Sequence, residues 1–105
     1  MTAAAPADSG RFTAVDAGAR WMFEGALTMD TAAGVLEGSR SLPLPSTGVV
    51  DFAAMTHADS AALAVMIALK RRGAAEGRPV AIADIPATLS SLAVVYGIES
   101  LLGNS

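Results

Sequence analysis

The chain reads as an α/β domain: one mixed sheet of four to five strands, with a parallel core and helices packed against it. Three observations predict this. From residue 30 onward, short apolar runs alternate with segments of helical periodicity. Ahead of that alternation stand two apolar runs joined only by DAGA, the pattern of a leading hairpin. Between residues 49 and 69, VVDFAAMTHADSAALAVMIAL runs from a short apolar strand through a polar stretch into an Asp-Ser pair that opens a helix with almost no charge for ten residues.

Taken in order, residues 11–15 and 20–23 form the hairpin, which supplies an antiparallel edge. From Asp30, the apolar positions Ala32, Val35, Leu36 and, more loosely, Leu42 recur near helical spacing, and Gly38 with Pro43 and Pro45 ends that helix. Residues 49–52 follow as a short buried strand and 53–58 as a turn. Asp59 is suited to cap the next helix, residues 60–72, because its carboxylate can accept a free backbone N–H of the first turn. Gly73 and Gly77 loosen the chain before Pro79, and VAIA at 80–83 is apolar on both faces, as a central parallel strand requires. A last helix starts near Pro86 and stops before Gly97, with an apolar stripe of Leu89, Leu92, Ala93 and Tyr96. Strands separated by helices in this order imply right-handed crossovers.

The 105 residues suit one domain, assigned to 11–105, and a hydrophobic content of 52% supplies a core. Residues 1–10 (MTAAAPADSG) read as a loose tail without the basic and apolar regions of a signal peptide. The longest apolar run, residues 61–69, is nine residues, against about 20 needed to span a bilayer, so no membrane insertion is expected. Without cysteine there is no disulfide framework, which fits the cytoplasm. A net charge of −3 argues against a nucleic-acid partner. Lys70, Arg71, Arg72 and Arg78 nevertheless place four of the seven basic residues within nine positions. They read either as cations favoured at a helix C-terminus before Gly73 or as a contact for acidic protein or lipid headgroups.

Asp51, His57, Asp59, Ser60 and Asp84 fall at or just past predicted strand ends, where α/β sheets gather ligands. Chemistry is nevertheless not indicated. There is no G-x-S-x-G elbow for Ser60, and the single His57 is too little for most metal sites and reads as a locally satisfied loop residue. Neither phosphate-binding glycine motif occurs. No catalytic residue, metal or cofactor is assigned. A small hydrolase built on Ser60, His57 and an acid rests on residue types alone.

The helix at 60–72 says more. Projected at about 100° per residue, Ala62, Leu63, Val65, Met66 and Leu69 form one apolar stripe fit to pack on the sheet. The opposite stripe should be charged, yet it carries Ser60, Ala61, Ala64, Ile67 and Ala68, with Arg71 only at its end. Small uncharged side chains let a partner approach closely, so these six residues are the predicted partner-binding face; the alternative is a central helix covered by the chain's own tail.

DSAAL at 59–63, the preceding VVDF, the later PATLSSLAVVYGIESLL and EGALTMDTA at 24–32 together resemble a STAS domain over residues 20–102. Within STAS proteins the chain is most similar to the small subunit of bacterial Mla-type phospholipid-transport ABC complexes. That resemblance implies a STAS-like fold and a non-catalytic subunit that docks on the cytoplasmic ABC-type ATPase, and through it on the inner-membrane permease, in a system that maintains outer-membrane lipid asymmetry. Ser60 would then be an interface residue, and the protein cytoplasmic and peripheral at the inner membrane. The other branch is the anti-sigma-factor antagonists, where the residue matching Ser60 accepts phosphate from a kinase. A phosphoserine there would meet free amides at a helix start but repel Asp59 at a packed interface. Ala62 departs from the glycine usual in the antagonists.

Overall fold

The computed structural model describes residues 10–102. Its elements are β1 (Arg11–Val15), β2 (Arg20–Leu27), α1 (Ala32–Ser39), β3 (Val49–Ala58), α2 (Ser60–Glu76), β4 (Ala81–Ala83), α3 (Ala87–Val95) and α4 (Glu99–Leu102), with a single 3-10 turn at Asp16–Gly18. The strands lie in the order β1-β2-β3-β4. β1 is antiparallel to β2, while β2/β3 and β3/β4 are parallel, so the fold is α/β with a mixed four-stranded sheet. The predicted tail, residues 1–10, lies outside the described residues except for Gly10.

Alternation along the strands decides which face is buried. Phe12, Trp21, Phe23, Val50, Phe52 and Ile82 turn to the helices and join one core with Leu63, Met66, Leu69, Leu89 and Leu102. Four of the five aromatic residues stack there, with Phe12 at 5.0 Å from Phe23, 5.2 Å from Trp21 and 5.8 Å from Phe52. The other face of the sheet carries Thr13, Glu24 and Ala53, all exposed.

Several predicted boundaries move, each for a physical reason. β2 continues past Phe23 to Leu27, and residues 53–58, expected as a turn, are strand. The two extensions hold each other: Glu24, Gly25, Ala26 and Leu27 pair with Ala54, Met55, His57 and Ala58. Main-chain pairing forms this strand although Ala53, Ala54, Thr56, His57 and Ala58 are exposed and show no apolar alternation. Only Asp59 is left to connect β3 to α2.

α2 does not stop at Arg72 but runs through Gly73 to Glu76. Gly73 is buried there, and a Cβ on it would stand 2.5 Å from the Arg78 carbonyl oxygen and 2.8 Å from a Val80 methyl. The glycine serves close packing, and the stop comes at Gly77 (φ 70°), where the Arg78 N–H donates to the Gly73 carbonyl at 2.8 Å and the Gly77 N–H to that of Ala74 at 3.3 Å. β4 is the edge strand rather than a central one; Val80 and Ile82 are buried, whereas Ala81 and Ala83 are only partly so. In α3, Leu89 and Ala93 are buried and Leu92 half-buried, but Tyr96 is 54% exposed because the helix has already ended at Val95. α4, a single turn that buries Leu102, was not predicted.

Two glycines in helices should respond to alanine with opposite signs. Gly34 in α1 has nothing within 4 Å of an added Cβ, so Gly34→Ala should stabilise by about 0.5–1 kcal/mol through helix propensity. Gly73→Ala should destabilise by about 1–3 kcal/mol because the overlap outweighs the same gain. Urea unfolding of the two variants measures both signs; stabilisation by Gly73→Ala would refute the packing role.

Candidate docking surface

The surface is built on α2, whose inner stripe is as predicted: Ala62, Leu63, Val65, Met66 and Leu69 are each at most 3% exposed against the sheet. Burying these side chains fixes the rotation of the helix, and therefore which residues look outward. Ala64 and Arg71 are exposed; Ser60, Ala61, Ile67 and Ala68 are partly so. Ile67 leans on the edge of the core, which explains its intermediate exposure. Arg71 makes no hydrogen bond or ion pair among the described residues. A groove of about 260 Å³ runs along one side of this face, between Leu36, Ser39 and Arg40 of the α1 end and Ala68, Leu69 and Arg72 of α2.

Both ends of α2 are tied to other segments. At the start, Asp59 is the cap: its Oδ1 accepts the Ala61 N–H at 2.8 Å. Its Oδ2 accepts the Met29 N–H at 3.0 Å, which binds the β2–α1 loop to the same carboxylate. Ser60 is therefore not the cap, and its half-buried hydroxyl makes no hydrogen bond among the described residues. At the far end, Arg72 donates to the Ser39 carbonyl at 3.0 Å, to the Leu42 carbonyl at 2.7 Å and to Glu76 at 2.9 Å, and lies 5.8 Å above the Trp21 ring. Lys70 donates to the Val80 carbonyl at 2.9 Å. Two of the four clustered cations thus clamp the fold, and the helix end lies four residues beyond Arg72; Arg71 and Arg78 remain exposed.

The five chemistry-bearing residues do not converge. Because β3 is ten residues long, Asp51 lies near its start, about 26 Å along the strand from Asp59 and Ser60. His57 is exposed near the end of β3, with Nδ1 3.3 Å from Thr56 Oγ1. Both Asp59 oxygens are engaged by backbone N–H groups, so this acid is not oriented toward His57 as a triad would require. Among the described residues no group of three or more metal-ligating side chains comes together, and no helix is long and apolar enough to cross a membrane.

Asp51 instead joins Arg20 and Asp84 where β3 and β4 pair. Its buried carboxylate accepts Arg20 Nη1–H at 2.9 Å and the Ala53 N–H at 2.8 Å, and Arg20 also reaches Asp16 at 3.2 Å. The Asp84 carboxyl is held above the ordinary aspartate range, first by its hydrogen bond to Asp51, then by the Asp51 charge and by lost hydration, with Arg20 pulling the other way. Asp84 also sits at φ 58°, a left-handed turn directly after β4.

The family model described as Mlab, STAS domain matches residues 11–103, nearly the whole chain. The chain is a STAS-domain protein of the MlaB type. Its family supports a small binding or regulatory STAS protein, and the element order and mixed sheet are consistent with a STAS-like fold. No curated protein matches the chain.

Sequence reasoning missed two parts of this surface. Met29 is 76% exposed beside the α2 start, and its only signal was a large apolar residue in a polar turn. The grip of Arg72 on Ser39 and Leu42 has no local signature, since those two acceptors lie some 30 residues upstream; only its pairing with Glu76 is local.

Arg72→Lys should cost about 2–4 kcal/mol in urea unfolding, because one ammonium cannot reproduce the planar fork across two carbonyls; an unchanged midpoint would refute the clamp. For Asp84, a proton held more tightly in the folded than in the unfolded chain stabilises the fold at low pH. That contribution is lost as pH rises through the folded-state value. Asp84→Asn removes it, so the variant's Tm relative to wild type should rise from about pH 4 to about pH 7. A difference that does not change with pH would contradict the Asp51–Asp84 pairing.

Proposed function

We propose that this STAS-domain chain is a non-catalytic subunit that docks through α2 on the cytoplasmic ATPase of an Mla-type phospholipid ABC transporter and stabilises or regulates it. ATP use and the permease would belong to the partner subunits, and the process served would be outer-membrane lipid asymmetry. The protein would be cytoplasmic and held at the inner membrane through that complex. One observation carries the reading: the outward face of α2 is uncharged from Ser60 to Leu69 and has Ala64 exposed at its middle. A solvated helix face ordinarily alternates charges, whereas small side chains suit close contact with a partner element. The family description supports the same branch.

The second reading, an anti-sigma-factor antagonist switched at Ser60, is favoured by the uncommitted Ser60 hydroxyl in the first turn of α2. Ala62, fully buried where the antagonists have glycine, tells against it.

Affinity purification of tagged protein from its native cells, wild type beside Ala64→Arg, separates the two. Ala64 is exposed, so the variant should keep the wild-type Tm. An ABC ATPase should come down with the wild type and fall at least about tenfold in the variant, a loss expected when a charge enters a packed interface. Recovery of a serine kinase, with phosphate on Ser60, would replace the transport reading by the switch.

A further inference from the structure

A cavity of about 250 Å³ opens among β4, α3 and α4, and none of its lining residues belongs to α2. One turn shapes it. α3 is followed by the left-handed Gly97 (φ 72°), and the Ile98 N–H donates to the Ala93 carbonyl at 2.9 Å, so α4 starts beside α3 and both helices wall the same space. The lining differs between floor and mouth. Ile82, Ala93 and Leu102 are buried, each at most 6% exposed, whereas Ser90, Val94 and Glu99 are exposed. Charge at the mouth has one sign: all lining residues fall within 79–105, a stretch whose only charged side chains are Asp84 and Glu99 and which has no Lys, Arg or His. The Glu99 carboxylate makes no hydrogen bond or ion pair among the described residues. An apolar floor below an unpaired carboxylate complements a molecule with an alkyl tail and a positive head, and it disfavours a fatty acid, whose own carboxylate would meet Glu99. Size limits the tail. A dry cavity of about 150 Å³ accepts benzene, so this larger one takes an alkyl chain of about six to eight carbons.

We propose that this cavity binds a small primary alkylamine, its tail on Ile82, Ala93 and Leu102 and its ammonium at Glu99 and Ser90. An ammonium is a donor only, and the Glu99 carboxylate and the Ser90 hydroxyl can both accept from it. The site is independent of the α2 docking reading, and neither stands or falls with the other.

The test is an amide NMR titration of the full chain at neutral pH with hexylamine, hexanol and hexanoate as probes. Hexylamine should shift the amides of Ala93, Glu99 and Leu102 saturably, and bind about threefold tighter than hexanol, the scale of an exposed ion pair; hexanoate should bind more weakly than either. Glu99→Gln should erase the advantage over hexanol. Each methylene removed from the amine should weaken binding by about two- to fourfold. Ser90→Phe, at an exposed position, should keep the wild-type Tm and abolish binding by filling the mouth. Hexanol or hexanoate binding as tightly as hexylamine would overturn the amine. No saturable shift with hexylamine, or unchanged binding in Ser90→Phe, would overturn the site. Movement of the same amides when the ligand-free protein is diluted would mean that a second copy covers the cavity, and would overturn the proposal as well.

Discussion

One carboxylate locates the helix on which the fold turns. Asp59 is the entire connection between β3 and α2, and its two oxygens are shared between the helix start and the β2–α1 loop. Because β3 runs to Ala58, the chain has no slack with which to search for the helix start; the strand end and the cap fall on adjacent residues. The opposite end of α2 is held by Arg72, which satisfies carbonyls at the end of α1 while lying over Trp21. Between these ties the buried stripe fixes the rotation, since turning the helix would bring Leu63, Met66 and Leu69 out into water.

That cluster accounts for the rigidity beneath the helix. Trp21 is fully buried, and its Nε1–H donates to the Pro43 carbonyl at 3.0 Å, so the largest side chain of the core carries no unsatisfied polar atom. Pro43 lies in the same α1–β3 connection that Arg72 grips at Leu42. A segment rich in proline and without regular structure is thereby fixed by two long side chains from different layers.

What was legible in the sequence was what period reveals. The inner stripe of α2 repeats at helical spacing because burial imposed it, and the Asp59 cap follows from residue type at the place where that period begins. What escaped was held by main chain or by remote partners. Residues 53–58 are strand through backbone pairing, which leaves no mark on side-chain alternation. Gly73 reads as a helix breaker on propensity, yet it is in the helix because the returning chain at Arg78 and Val80 passes too close for a Cβ. VAIA at 80–83 reads as central though β4 is an edge strand, because alanine on a half-covered face cannot be told from alanine on a buried one. The exposure of Met29 escapes sequence reading because a single exposed apolar residue has no pattern to belong to.

The edge position of β4 has a consequence for behaviour in solution. An open parallel edge exposes main-chain N–H and C=O groups to any passing strand, the usual route to sheet extension between molecules. Here that edge is three residues long, and the left-handed turn at Asp84 then takes the chain out of the strand. A short edge strand that turns away at once is one of the ways sheet proteins limit edge-to-edge pairing between copies, and this one lies beside a helix face that carries no charge from Ser60 to Leu69.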